Sequence, residues 1–214
     1  SIASIQQTIQ SSVSTWWGGT IDALDPDRLY AYLYSVLSRV SSLRITPPPT
    51  SVDPAFADFP GQHATPLFVC KGIRHLALDG VDPASIVGWD RLSIQLTSLV
   101  CTHISMADIT DLFAGLVQRD SHVESLPAAA WHALQYACLA HNELTFVPSS
   151  MTTILPSLRY LDVSHNLLNA VPPALECLHK LQALNVSGNM IDSVLGIYLS
   201  LPHIRVLNLS LIHI

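Results

Sequence analysis

The chain has 214 residues, a net charge of −6, and 12% charged against 49% hydrophobic residues. Its only lysines are Lys71 and Lys180, and its few basic residues are scattered along the sequence. That balance speaks against a nucleic-acid binder and against a protein held to an anionic membrane surface. No uninterrupted apolar run approaches the roughly 18 residues of a membrane span, which argues against direct membrane insertion.

In chain order, Ile2, Ile5, Ile9, Val13 and Trp16 recur at steps of three and four, predicting a helix over residues 1–17 that Gly18 and Gly19 end. A second helix is expected from Asp25 to Leu43, with Asp25 as N-cap and Pro26 in the first helical position. Its buried stripe would be Leu29, Leu33, Val36, Val40 and Leu43, and Tyr30, Tyr32 and Tyr34 are expected to pack against the first repeat, with a docking face as the alternative. These segments make a helical N-terminal extension, residues 1–45. Prolines 47, 48, 49, 54, 60 and 66 make residues 46–67 an extended surface loop. Because the chain starts at Ser1 rather than Met, it is expected to be a fragment.

From residue 68 to 214 an apolar frame repeats, Leu-x-x-Leu-x-Leu-x-x-Asn-x-Leu. Leu134, Ala137, Leu139, Asn142 and Leu144 fill it once. Leu158, Leu161, Val163, Asn166 and Leu168 fill it again, then Leu181, Leu184, Val186, Asn189 and Ile191. Upstream, Ile73, Leu76 and Leu78 fit with Val81 in the Asn slot, and Leu96, Leu99 and Cys101 fit with Ile104 there, so these two repeats are degenerate. The excess spacing between slots 104 and 142 requires an insertion. Ser105 and Asp108 resemble a capping box ahead of Ile109, Leu112, Phe113, Leu116 and Val117, which predicts an inserted helix near 105–118. Ile204, Leu207 and Leu209 begin a last repeat whose slot falls on Ile212. Residues 209–214 also resemble a translated sequencing-adapter end; Leu209 and Ser210 fit the repeat, so the array is expected to be truncated at Leu211–Ile214, leaving an open edge.

The period of 23–24 residues is that of a leucine-rich repeat. The expected fold is therefore α/β, a right-handed leucine-rich-repeat solenoid with short parallel strands on its concave face. No single repeat can bury its apolar edge, so the core forms only by stacking. Asn142, Asn166 and Asn189 are expected to form a structural ladder, each amide satisfying backbone groups that the turn would bury unpaired. His103, His141 and His165 share the position before the Asn slot and should stack at about 5 Å per step. Such a column could serve a metal or a proton relay, but the preferred reading is a polar residue merely tolerated at an exposed edge, where the next repeat has Gly188.

No hydrolase elbow, zincin motif, phosphate loop or dinucleotide fingerprint occurs, so no catalytic or metal residue and no cofactor is assigned. Cys70, Cys101, Cys138 and Cys177 form no C-x-x-C pair, and Cys101 falls on an inward position, all of which suits a reducing compartment. Asn185-Val-Ser187 and Asn208-Leu-Ser210 match the glycosylation triplet but fall on repeat strands and read as chance matches. Outward strand positions make the candidate protein-binding face: Tyr136, Tyr160, Asp162 and Asn185, with Arg159 and Arg205 alongside. Aromatic residues and Arg are the usual anchors of interfaces.

KGIRHLALDGVDPASIVGWDRLSIQLTSLVC, the helix ITDLFAGLV and WHALQYACLAHNELTFVPSSM resemble the leucine-rich N-terminal region of the liver-kinase-B-interacting protein family, over roughly residues 28–210. The resemblance implies a cytoplasmic scaffold, peripheral to endomembranes, that binds a serine/threonine kinase. The repeat unit is also similar to that of the regulatory leucine-rich subunit of the type-one protein phosphatase, which keeps a phosphatase partner open. A hydrolase or metalloenzyme is the distant third reading.

Overall fold

The computed structural model describes residues 26–47, 65–122, 126, 130–194, 201 and 203–212. The helix expected over residues 1–17 and most of the proline-rich stretch lie outside the described residues. The chain divides into two compact units, Ser1–Leu37 and Ser38–Ile214.

In the first unit, α1 spans Pro26–Leu37 and exposes Tyr32 and Tyr34. It stops short of the expected Leu43. Residues Ser42–Ile45 instead form strand β1 of the second unit. Val40-x-x-Leu43-x-Ile45 is itself the start of the apolar frame, and Leu43 pairs in register with Leu76 of β3 (His75–Asp79). The three- and four-residue steps that extended the helical stripe to Leu43 are the steps with which a repeat begins.

The second unit is built on a parallel sheet with strand order β1-β3-β5-β6-β7-β8-β9, where β5 is Ser98–Thr102, β6 Tyr136–Cys138, β7 Tyr160–Asp162, β8 Ala183–Asn185 and β9 Val206–Asn208. Thr65–Pro66 (β2) and Ile86–Val87 (β4) make a separate parallel pair. Alternation along each strand puts one face inward. Leu76, Leu78, Leu99, Cys101, Ala137, Leu139, Leu161, Val163, Leu184 and Val186 are all buried in one continuous core. The sheet register aligns every frame position with its counterpart, so Leu99 faces Ala137, Ala137 faces Leu161, and Leu161 faces Leu184.

The insertion becomes part of this core. Its helical segment follows Asp108, whose Oδ1 accepts from the Thr110 N–H at 2.7 Å. The cap is therefore Asp108 and not Ser105, which sits at φ 49° in the preceding turn. A π-helical turn, Asp111–Gly115, leads into α3, Leu116–Ser121. Phe113 meets Trp131 edge-on at 4.9 Å, and the Trp131 indole N–H donates to the Phe113 carbonyl at 2.7 Å. Asp120 Oδ2 accepts from the N–H groups of Gly88 and Trp89, at the start of α2 (Trp89–Gln95). Arg119 donates to Asp120 and to the carbonyls of Ala84 and Ile86. Burial pushes the Asp120 carboxyl up, but Arg119 and the two amides outweigh it and hold it below the usual range.

The buried asparagines tie repeat to repeat. Asn166 Nδ2 donates to the carbonyls of Val163 and Ser164 in its own turn and of Leu139 in the repeat before, while its Oδ1 accepts from the Leu144 N–H. Asn189 repeats the set with Val186, Ser187, Val163 and Leu168. Asn142 bonds Leu139, Ala140 and Cys101, and accepts from the N–H of Ile104. Ile104 occupies the Asn slot of a degenerate repeat and makes no such side-chain bonds of its own, but Asn142 still reaches back to this turn through the Ile104 N–H and the Cys101 carbonyl. Asn166→Ala should lower stability by about 1–3 kcal/mol, since it strips partners from buried backbone groups. A denaturant melt of the variant that superimposes on that of the parent would contradict the ladder.

Candidate interaction surface

The outward column nearest the start of the strands reads His75, Ser98, Tyr136, Tyr160, Ala183 and Val206. Tyr136 and Tyr160 are in-register partners on adjacent strands, 39% and 44% exposed, with ring centroids 6.4 Å apart and planes tilted by 38°. Partial burial, with Cys138 and Asp162 behind it, pushes the Tyr136 phenol up, so that it stays a neutral hydroxyl. The exposed pair loses little freedom on binding, because each side chain has few torsions and stands on a hydrogen-bonded sheet.

The next outward column has a structural occupation. Asp162 Oδ1 accepts from the N–H and hydroxyl of Ser164, and its Oδ2 accepts from Asn185 Nδ2 at 3.0 Å. Asn185 Oδ1 takes the same two bonds from Ser187, and Asn208 Oδ1 from Ser210. The triplets that resemble glycosylation sites are thus Asx turns at the ends of β8 and β9, and Asp162-Val-Ser164 makes the same turn after β7 with aspartate in the first place. Asp162 and Asn185 hold the turn, and only the half-exposed remainder of each side chain is open to a partner.

The column just before the Asn slot is set by backbone conformation. Gly80, His103, His141, His165, Gly188 and Leu211 all have φ between 52° and 68°. Glycine adopts this left-handed region freely, and histidine is among the side chains enriched there. The histidines therefore recur for a conformational reason, and alignment of the repeats stacks them. His103 and His141 lie 4.9 Å apart at 16°, and His141 and His165 lie 4.4 Å apart at 5°. At the top of the stack His103 Nδ1 is 2.9 Å from Asp79 Oδ1, which also accepts from the Thr102 hydroxyl, while Arg44 pairs with Asp79 Oδ2. The bond to His103, then those to Arg44 and Thr102, holds the Asp79 carboxyl down to about 2.

The basic residues that look scattered in the sequence gather in the fold. The five residues that lead into β3, β5, β6, β7, β8 and β9 are KGIRH (71–75), IQLTS (94–98), HALQY (132–136), PSLRY (156–160), HKLQA (179–183) and PHIRV (202–206). They contain Lys71, Arg74, Arg159, Lys180 and Arg205, half of the chain's 10 Lys and Arg, and no acid. Asp79, Asp82, Asp108, Glu143, Asp162 and Asp192 lie at or beyond the opposite ends of the strands. The signal was present in the sequence as a column at the repeat period, but composition alone hides it.

Among the described residues no cluster of His, Cys, Asp and Glu could hold a metal ion. All four cysteines are free thiols. Burial pushes the Cys101 thiol far up, with Cys138 adding to the shift, so Cys101 is a core side chain and not a nucleophile. No helix among the described residues is long and apolar enough to cross a membrane.

The family model for the leucine rich repeat matches residues 134–191. A leucine-rich repeat-containing protein of Schizosaccharomyces pombe is 24% identical, covering 100% of this chain and 49% of that protein. The human serine/threonine-protein kinase 11-interacting protein is 29% identical over 76% of this chain and 14% of its own length. The chain thus spans half or less of these relatives. Among solved structures, an internalin of Listeria monocytogenes superimposes with a TM-score of 0.51 at 14% identity, over 85% of this chain and 45% of the other. Human 5T4 superimposes with a TM-score of 0.50 at 23% identity, over 81% and 61%. The sheet is that of a leucine-rich-repeat solenoid, in a chain that resembles the kinase-interacting protein.

Two outcomes test the strand-end turn. A Cβ on Gly188 would lie 2.6 Å from His165 Nδ1 at a φ of 63°. Gly188→Ala should therefore cost about 1–2 kcal/mol in a denaturant melt, and no loss would refute the conformational account of the column. Asp79 has its carboxyl lowered in the fold, so its contribution to stability is complete above its ordinary value of 3.8 and is lost as pH falls through about 2. In His103→Ala the Asp79 carboxyl resonance should titrate nearer 3.8, and an unchanged midpoint would show that His103 is not the cause.

Proposed function

We infer that this leucine-rich-repeat chain is a non-enzymatic scaffold, which holds a protein partner on the concave face of its sheet. The adjacent exposed pair Tyr136 and Tyr160, with Arg159 immediately before the second tyrosine, carries the reading. Rigid aromatics beside Arg are the side chains that most often dominate interface energy. The stacked repeats prepay the ordering of this surface, so a partner meets it already assembled. Similarity to a human protein named for interacting with a serine/threonine kinase supports a kinase as the partner class. The four free thiols support a reducing, cytoplasmic compartment.

Tyr136→Ala combined with Tyr160→Ala should weaken partner capture by about tenfold or more, as removal of an interface anchor does. The melt should stay near that of the parent, because both rings project from the sheet. Glu176→Ala, exposed on the short 3-10 helix Pro173–Cys177 away from the sheet, should leave capture intact. Loss of capture in Glu176→Ala with retention in the tyrosine pair would overturn the concave-face reading.

A further inference from the structure

The charge segregation across the sheet assigns the chemistry of what binds there. This inference rests on the concave-face reading and adds to it what the partner must carry. Arg159, Lys180 and Arg205 stand on three successive repeats, ahead of β7, β8 and β9, in a chain whose net charge is −6. Arg159 and Arg205 are exposed, and neither guanidinium makes a hydrogen bond or ion pair among the described residues. By contrast Arg44, Arg91 and Arg119 all lie against carboxylates. Lys180 reaches only the Ser157 hydroxyl, at 3.4 Å. An unpaired cation row in an acidic protein, with its own acids at the other ends of the strands, is complementary to an anionic partner and fixes its direction across the sheet.

The spacing narrows the class. Two strand steps of about 4.8 Å put Arg159 and Arg205 about 10 Å apart. In an extended polyproline-II segment, residues i and i+3 return to one side about 9 Å apart. Carboxylates at i and i+3 would meet both guanidiniums, and an apolar neighbour would fall beside the Tyr136–Tyr160 pair. An anionic lipid surface fits less well. Gln95, Thr97 and Gln135 lie on the same edge between Arg74 and Arg159, so a bilayer lying along it would meet an interrupted row of charge.

The geometry points to an acidic, extended peptide segment as the ligand of the Arg159–Lys180–Arg205 edge, its carboxylates three residues apart and an apolar side chain seated on the tyrosine pair. The test is fluorescence anisotropy of the full chain with a fluorescein-labelled peptide carrying Glu-Pro-Pro-Glu beside leucine, against the same peptide with lysine for glutamate. The acidic peptide should bind and the lysine peptide should not. Arg159→Gln with Arg205→Gln should weaken binding about tenfold, from two exposed charge pairs, with an unchanged melt. Arg91→Gln, which removes a positive charge away from this edge, should change it less than twofold. Equal binding of the two peptides, equal losses in the Arg91 and Arg159/Arg205 variants, or no binding at all would overturn the assignment. So would sedimentation with phosphatidylserine vesicles in place of peptide binding. In the first two cases, loss of binding in the Tyr136/Tyr160 variant would leave the concave-face reading standing.

Discussion

An asparagine amide just beyond β6, β7 and β8 is the constraint on which the rest of the solenoid depends. The chain leaves these strands by a left-handed residue, and that bend turns carbonyls and an N–H of two repeats toward the core. A buried backbone group without a partner costs about 1–3 kcal/mol, and one side chain that carries donor and acceptor together at that spot removes the cost. Asn166 and Asn189 do so, each joining its own turn to the preceding repeat. The leucine core is non-directional and would tolerate slippage. The amides fix the register.

That register is what makes a surface. Because each frame position aligns with its counterpart, residues that share a position in the repeat line up across the sheet: Tyr136 beside Tyr160 on the outward face, His103, His141 and His165 on the left-handed turn, and Arg159 and Arg205 ahead of the strands. The rows differ in freedom. The Asx–Ser turns and the histidine stack are bonded into the fold, whereas the tyrosine pair and Arg159 and Arg205 face outward with capacity to spare. A scaffold needs both kinds of row, one to hold the frame rigid and one to engage a partner.

The repeat frame, its solenoid fold and the outward position of Tyr136 and Tyr160 are legible in the sequence, since period-2 alternation and a fixed apolar spacing are direct images of strand geometry. Strand β1 was hidden because Val36, Val40 and Leu43 continue a helical spacing, and only the pairing of Leu43 with Leu76 decides between helix and repeat. The histidine column is visible as a period, but its cause is not. A φ of about 55° explains why Gly80 and Gly188 occupy the same position. The basic edge is hard to see in the sequence because Arg74, Arg159, Lys180 and Arg205 are separated by 85, 21 and 25 residues and come together only through stacking. Asp120 capping Gly88 and Trp89 is a contact that no local pattern announces.

The most direct test of the central claim is native-state hydrogen exchange read amide by amide. In Asn189→Ala the Leu168 N–H, which donates to Asn189 Oδ1 at 3.0 Å, should lose protection, while the Leu144 N–H, held by Asn166, keeps it. In Asn166→Ala the pattern should reverse. If both amides keep their protection in both variants, or lose it together, the asparagines do not couple neighbouring repeats and the account fails.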